Sequence, residues 1–260
     1  AGARLQCHPK VVASPHLGGS TVEALERIAV ELAHDVASVL AGRPAAAAVN
    51  APVADGPDAE LVRPFVELAY RLGRLHPQLS HERALPAFAL VLEGRIAQHD
   101  PEPLVTAFLA GLLQATTERR VSVVNARALA HELGVALEVR ADPQAGSYAA
   151  ALRVLGGETS LAGTCVAGAP RIVAIDGFEV DMVPSGAMLL TQHRDVPGMI
   201  GRVGTILGEA HVNISTMQVS RTGPGGDAIM VLATDRRTDE AALARLREIP
   251  GVASVRAIEA

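Results

Sequence analysis

The pattern of apolar and polar residues first predicts a helix near the start of the chain. Ser20-Thr-Val-Glu23 places a glutamate three positions after a hydroxyl residue, which is the pattern of a capping box. Apolar residues then recur at about 3.6-residue spacing, which predicts an amphipathic helix that Gly42 and Pro44 end. The apolar face consists of Leu25, Ile28, Ala29, Leu32, Val36, Val39 and Leu40. Residues 41–58 are rich in proline, glycine and alanine, which predicts a linker and a first domain boundary.

The middle of the chain predicts a mixed α/β domain over residues 51–184. A helix is expected at about 59–76, and the run Arg83–Ile96 has the character of a strand. Asp100-Pro101 begins another helix, and a short helix follows near 126–133. The remaining strand candidates are 135–140, 147–155, 158–166, 171–175 and 178–182, with Gly156-Gly157 as a hairpin turn between two of them.

Residues 185–260 follow the order β-α-β-β-α-β, which is the split βαβ, or ferredoxin-like, arrangement. Pro197-Gly198 opens the first helix, and Thr238 with Asp239 and Glu240 caps the second. The strands are expected at about 187–193, 212–220, 227–233 and 252–258, and the helices at about 197–210 and 239–249. The whole chain is therefore predicted to be α+β.

Composition and charge narrow the class of protein. A chain of 260 residues favours about two domains, and 49% hydrophobic residues are enough for a sizeable core. No apolar run reaches the roughly 18 residues of a membrane-spanning helix, and the sequence shows no secretory signal. Cys7 and Cys165 form neither a disulfide framework nor a metal pair, so we expect a reducing cytoplasm. A scattered net charge of −5 argues against nucleic-acid binding, and the histidines show no metal-ligand spacing.

A candidate pocket for a zwitterion lies at the start of the C-terminal module. Asp195 comes just before a helix start, where free N–H groups could hold a carboxylate. Its own carboxylate could accept an ammonium group, and Asn213, at the start of the next strand, can both donate and accept. The alternative is that Asp195 only caps the helix and Asn213 only forms a turn.

The segment His193-Arg-Asp-Val-Pro-Gly-Met-Ile-Gly-Arg-Val-Gly204, followed by Val212-Asn-Ile214, closely resembles the ACT domain of the D-3-phosphoglycerate dehydrogenase family. The resemblance implies that L-serine binds as an effector between the ACT domains of two adjacent subunits. It implies that one subunit supplies His193, Asp195, Pro197 and Gly198, and that the other supplies Asn213 and Ile214. ACT strands can pair side by side, so we expect a homo-oligomer, at least a dimer.

The segment Pro15-His-Leu-Gly-Gly-Ser-Thr21 resembles the end of the nucleotide domain of D-2-hydroxyacid dehydrogenases. The resemblance implies that His16 is the catalytic acid and base, an imidazole being suited to this by its pKa near neutrality. It also implies that the backbone of His16, Leu17, Gly18 and Gly19 passes beside the nicotinamide of NAD. The dinucleotide fingerprint of the family is missing, and Gly198-x-x-Gly201-x-x-Gly204 has the wrong spacing. Residues 1–50 are thus expected to be the remnant of a dehydrogenase domain.

The middle domain resembles the intervening domain of long-form phosphoglycerate dehydrogenases, through Ser160–Thr164 and Pro170–Phe178. The resemblance implies a possible anion site at Arg171, although Gly177 and Phe178 replace basic residues that some relatives have. A spacer that pairs subunits is the alternative.

Taken together, the resemblances predict the C-terminal regulatory and oligomerisation part of an NAD-dependent dehydrogenase. The parent enzyme would oxidise 3-phospho-D-glycerate to 3-phosphooxypyruvate, the first step of L-serine biosynthesis, and this chain alone is expected to be inactive. One alternative is a free-standing amino-acid-binding module. Another is a subunit of an L-serine dehydratase, whose iron–sulfur chemistry needs cysteine ligands that two distant cysteines do not provide.

Overall fold

The computed structural model describes residues 8–12, 15, 17–40, 59–80, 87–144 and 146–260. The chain divides into two compact units, Ala1–Ala51 and Pro52–Ala260. His16, Cys7 and His81 lie outside the described residues, so the expectations that rest on them remain predictions.

The first unit contains helix α1, Val22–Leu40, as the apolar spacing predicts. Its cap differs from the prediction, because the hydroxyl of Thr21, not that of Ser20, accepts a hydrogen bond from the backbone N–H of Ala24 at 3.2 Å. Four side chains of its predicted apolar face are exposed, Leu25 by 56%, Ile28 by 47%, Leu32 by 61% and Val36 by 50%.

The second unit begins with helices on one face of a six-stranded sheet. The helices are α2 (Ala59–Leu79), α3 (Glu102–Thr116) and α4 (Ala126–Glu132). The strands are β1 (Phe88–Gly94), β2 (Leu137–Asp142), β3 (Ala150–Gly156), β4 (Thr159–Val166), β5 (Ala169–Ile175) and β6 (Phe178–Met182). Their order is β2-β1-β3-β4-β5-β6, in which only the β1–β2 pair is parallel.

The three predicted helices and five of the predicted strands of this part lie within a few residues of their expected positions, but the run Arg83–Ile96 is only partly a strand. Gly94 has a φ of +68°, which favours glycine and ends β1. Ile96 then lies in a short 3-10 helix, Arg95–Gln98, and residues 81–86 are not described.

Helices α2 and α3 approach so closely that glycine is required at their crossing. A Cβ at Gly73 would lie 2.2 Å from the carbonyl oxygen of Phe108. A Cβ at Gly111 would lie 2.0 Å from the carbonyl oxygen of Tyr70. The two backbones therefore contact each other directly, and Phe65, Leu72, Phe108 and Leu112 fill the core beside them.

The remaining residues form the predicted β-α-β-β-α-β module. Its elements are β7 (Ala187–Arg194), α5 (Met199–Glu209), β8 (Ile214–Arg221), β9 (Asp227–Thr234), α6 (Glu240–Arg247) and β10 (Val252–Glu259). The strand order β10-β7-β9-β8 is that of a ferredoxin-like sheet, so the predicted fold class is confirmed. Helix α5 begins at Met199, later than predicted, because Gly198 has a φ of +86° and is its left-handed N-cap residue.

The cap of α6 also differs in detail from the prediction. The carboxylate of Asp239 accepts a hydrogen bond from the backbone N–H of Ala242 at 2.8 Å. Thr238 is buried instead, and its hydroxyl has no hydrogen-bond partner among the described residues.

Both faces of the four-stranded sheet are covered. On one face, Leu189, Met230 and Leu232 pack with α5 and α6. On the other, Met188, Leu190, Ile229, Val231 and Ile258 belong to the same core as α2, α3 and the six-stranded sheet. The expected boundary between residues 184 and 185 stays a prediction, because one core extends across it.

Candidate functional site

The candidate pocket lies where β7 ends, at the start of α5 and beside the end of β8. It has a volume of about 450 Å³. Its lining includes His193, Asp195, Pro197, Gly198, Val219 and Arg221. Four of the six residues expected to bind the effector therefore share one pocket in a single chain.

The sheet register brings Arg221 to this pocket. His193 pairs with Ala228 on β9, and Ala228 pairs with Arg221 on β8. Residues in one such row point to the same face of the sheet, so Arg221 and His193 both lie on the side of α5. Two strand spacings separate their backbones by roughly 10 Å, and the small side chain of Ala228 leaves room between them.

Asp195 forms an ion pair with Arg221, in which Nη1 of the arginine is 2.7 Å from Oδ2 of the aspartate. The Asp195 backbone N–H donates to the carbonyl of Gly226 at 2.9 Å, which fixes the loop against the β8–β9 turn. Asp195 does not cap α5, because the N-cap residue is Gly198 and no side chain caps that helix. The alternative role as a helix cap is therefore wrong for Asp195.

Sequence reasoning missed Arg221, which is 26 positions from Asp195 along the chain. A signal was available in the topology. In a ferredoxin-like sheet the first and second strands run in the same direction on either side of the third strand, so both end at the same edge of the sheet. The last residue of β8 therefore faces the loop that follows β7.

His193 forms the inner wall of the pocket. It is buried, and its Nδ1 lies 3.2 Å from the hydroxyl of Thr191. Burial lowers the pKa of the imidazole, against the opposing effects of a hydrogen bond with the Thr191 backbone and of the charge of Asp195. A neutral imidazole at neutral pH can donate or accept one hydrogen bond without adding charge to the pocket.

Asn213 and Ile214 do not line this pocket. They lie at the opposite end of β8, and eight residues of strand separate Asn213 from Arg221 by roughly 26 Å. The Asn213 side chain is exposed, whereas its backbone exchanges hydrogen bonds with Asp235 at 2.9 and 3.1 Å. A single chain cannot bring both groups of expected effector residues to one small ligand.

Arg171 is already paired. Its Nη1 lies 2.8 Å from Oδ1 of Asp181 on the neighbouring strand β6. Glu179 is two residues away on the same strand and so on the same face as Asp181. This local negative charge disfavours an anion at Arg171, although the expected site remains a prediction.

The expected catalytic segment is described only in part. Leu17, Gly18 and Gly19 form a turn before α1, in which the backbone N–H of Ser20 donates to the carbonyl of Leu17 at 3.0 Å. A Cβ at Gly18 would meet no atom within 4 Å, so the backbone there is open to close approach by a ligand. The expectation that this segment passes beside the nicotinamide of NAD remains a prediction.

Other chemistry has little support in the described part of the chain. Burial raises the pKa of the Cys165 thiol to about 12, with a smaller contribution from Glu67, so this thiol is not a nucleophile at neutral pH. No helix among the described residues is long and apolar enough to span a bilayer.

Comparison with known families matches two consecutive domains. Residues 61–176 match the D-3-phosphoglycerate dehydrogenase intervening domain, and residues 187–251 match the ACT domain. Proteins named D-3-phosphoglycerate dehydrogenase are similar over most of the chain. The protein from Synechocystis is 37% identical over 96% of the chain, that from Bacillus subtilis 33% over 98%, and that from Archaeoglobus fulgidus 32% over 96%. The chain spans only 46%, 50% and 48% of the lengths of these relatives.

Proposed function

Because the chain carries the intervening domain and the ACT domain of D-3-phosphoglycerate dehydrogenases, we propose that it is the C-terminal regulatory part of such an enzyme. The parent enzyme would use NAD to oxidise 3-phospho-D-glycerate to 3-phosphooxypyruvate in the cytoplasm. This chain would bind L-serine as a feedback effector and would hold subunits together.

The observation that carries the proposal is the division of the expected effector residues between the two ends of β8. That strand is at the edge of its sheet. If β8 paired antiparallel with β8 of a second copy, centred on Met217, Asn213 of each copy would lie opposite Arg221 of the other. Met217 is 38% exposed, so this strand is accessible in the single chain. One twofold contact would thus complete two equivalent effector sites.

The chemistry of each completed site suits a small hydroxy amino acid. Asp195 matches an ammonium group, and the amide of Asn213 can both donate to and accept from a hydroxyl. A ligand that contacts both subunits stabilises their association, and serine binding must then favour one arrangement of the subunits over another.

The apolar face of α1 supports a longer parent polypeptide. Leu25, Ile28 and Leu32 form an exposed stripe on a helix that follows the dehydrogenase-like segment. Such a stripe requires a partner. We propose that the dehydrogenase domain of the parent covers it, and that the same domain supplies the missing part of the NAD site. The chain alone should therefore form no NADH from 3-phosphoglycerate and NAD.

The effector proposal is tested by calorimetric titration of the purified chain with L-serine, with D-serine and glycine as controls. We expect saturable binding of L-serine and loss of that binding in Asn213→Ala. We also expect the average molecular mass measured by light scattering to rise towards that of a dimer when serine is added. Binding by a chain that remains monomeric, or binding that survives Asn213→Ala, would contradict the two-subunit site. No binding by a folded dimer would contradict serine as the effector.

A further inference from the structure

We infer that Arg221 is the residue that selects a carboxylate in the effector, so that the Asp195–Arg221 pair acts as one receptor for the zwitterion of an α-amino acid. The inference rests on the proposed effector function of this pocket and goes beyond it, because the resemblance assigns no role to Arg221.

The first argument is geometric. Arg221 and Asp195 line the same cavity of about 450 Å³, and their charged groups are 2.7 Å apart. The ammonium and carboxylate groups of an α-amino acid are separated by a single carbon atom. A cation and an anion that already touch are thus spaced to bind the two groups side by side, Asp195 the ammonium and Arg221 the carboxylate.

The second argument is energetic. The Arg221 side chain is 55% exposed and that of Asp195 is 24% exposed. Ion pairs this exposed contribute little to stability, so each of the two groups can bind a ligand group at small cost. The guanidinium presents donors in a planar fork that matches both oxygens of a carboxylate.

The third argument concerns how Arg221 is held. It is the last residue of β8, in register with Ala228 and His193, so the sheet directs its side chain towards the pocket. The rival anchor for the carboxylate is the start of α5, whose first N–H groups lack acceptors within the helix. Both anchors favour a ligand with a carboxylate, but only an Arg221 anchor predicts that this preference is lost when Arg221 is replaced.

The experiment compares L-serine with L-serinamide, which has nearly the same shape and the same ammonium group but no carboxylate. An α-amino group has a pKa of roughly 7.7–8.0, so the titrations are made about one pH unit below that value, where both ligands carry the ammonium charge. The proteins are the unmodified chain, Arg221→Gln, Arg221→Lys and a control, Arg194→Gln. Arg194 is 61% exposed, is also paired with an aspartate, Asp227, and does not line the pocket.

We expect the unmodified chain to bind serine at least about tenfold more tightly than serinamide, as befits one charge-assisted bidentate contact. In Arg221→Gln, the affinity for serine should fall by a similar factor while the affinity for serinamide changes little. The preference for serine over serinamide should then nearly disappear. Arg221→Lys should restore part of the preference, and Arg194→Gln should keep all of it.

Equal weakening of both ligands in Arg221→Gln would overturn the inference and leave Arg221 as a residue that only positions Asp195. Tighter serine binding in Arg221→Gln would overturn it too, because Arg221 would then be a competitor of the ligand. An unmodified chain that binds neither ligand would instead contradict the proposed effector function itself, so the two failures are distinguishable.

Discussion

Gln78, near the end of α2, and Glu259, the last residue of β10, exchange two hydrogen bonds at the surface of the protein. The Gln78 Nε2 donates to the carbonyl of Glu259 at 2.9 Å, and the backbone N–H of Glu259 donates to the Gln78 Oε1 at 2.9 Å. Arg256, also on β10, donates to the carbonyls of Gln78 and Ser80 at 3.2 and 2.8 Å. The end of α2 is therefore joined to the last strand of the ACT domain by polar contacts as well as by apolar packing.

The Gln78 contacts should contribute measurably to stability. Gln78→Ala removes three hydrogen bonds to backbone groups, two with Glu259 and one with the carbonyl of Arg74. We therefore expect the free energy of unfolding to fall by about 1–2 kcal/mol in urea titrations. Gln144→Ala is the control, because that side chain is exposed at the end of β2 and should change stability by less than about 0.5 kcal/mol. Equal effects of the two changes would show that the contact between α2 and β10 adds nothing.

The buried His193 should make the protein less stable in acid. Its pKa is lowered in the folded state, so below about pH 6.5 the unfolded chain binds more protons at this site than the folded chain does. The stability that this neutral histidine provides is present above that pH. It decreases as the pH falls towards the lower, folded pKa.

The measurement is the free energy of unfolding at several pH values between neutral and mildly acidic. His193→Gln should lose less stability on acidification than the unmodified chain, whereas the exposed His131→Gln should lose as much as the unmodified chain does. Identical pH slopes for His193→Gln and the unmodified chain would contradict the prediction.

The sequence predicted the ferredoxin-like module well because its signals are local. Pro197-Gly198, Asp239 and the spacing of apolar residues mark each element within a few positions. The Asp195–Arg221 pair was not predicted, because it depends on strand order. The core that the four-stranded sheet shares with α2, α3 and the six-stranded sheet was also not predicted, although the sequence of β9 indicates burial on both faces. Its run Ala-Ile-Met-Val-Leu-Ala shows no alternation, which is typical of a strand covered on both faces.

Alanine should have opposite effects at Gly111, which lies at the α2–α3 crossing, and at Gly204, which lies in α5 away from it. Gly111→Ala forces a Cβ against the backbone of Tyr70, so we expect a loss of about 1–3 kcal/mol or more, measured by chemical unfolding. Gly204→Ala in α5 is the matched control, because a Cβ there meets no atom within 4 Å and alanine is the better helix former. It should stabilise the chain by about 0.5–1 kcal/mol. Destabilisation of similar size in both variants would contradict the close contact as the cause.

Thr238 and Thr164, both buried, should respond differently to the same change. The Thr238 hydroxyl is buried without a partner among the described residues, so Thr238→Val should leave stability unchanged or raise it by about 1 kcal/mol. The Thr164 hydroxyl donates to the carbonyl of Ala150 at 2.6 Å, so Thr164→Val should cost about 1–3 kcal/mol. Thermal or urea unfolding of both variants tests this, and a clear loss in Thr238→Val would mean that its hydroxyl does find a partner.

The second covered face of the four-stranded sheet limits how residues 185–260 could be transplanted. A chimaera that joined residues 185–260 to a foreign enzyme would leave Met188, Leu190, Ile229, Val231 and Ile258 in contact with solvent. An apolar patch of this kind invites aggregation. A graft that starts at Ala59 would keep α2 and its core as the natural cover. A unit that keeps both faces of this sheet covered on transfer therefore contains residues 59–184 together with residues 185–260.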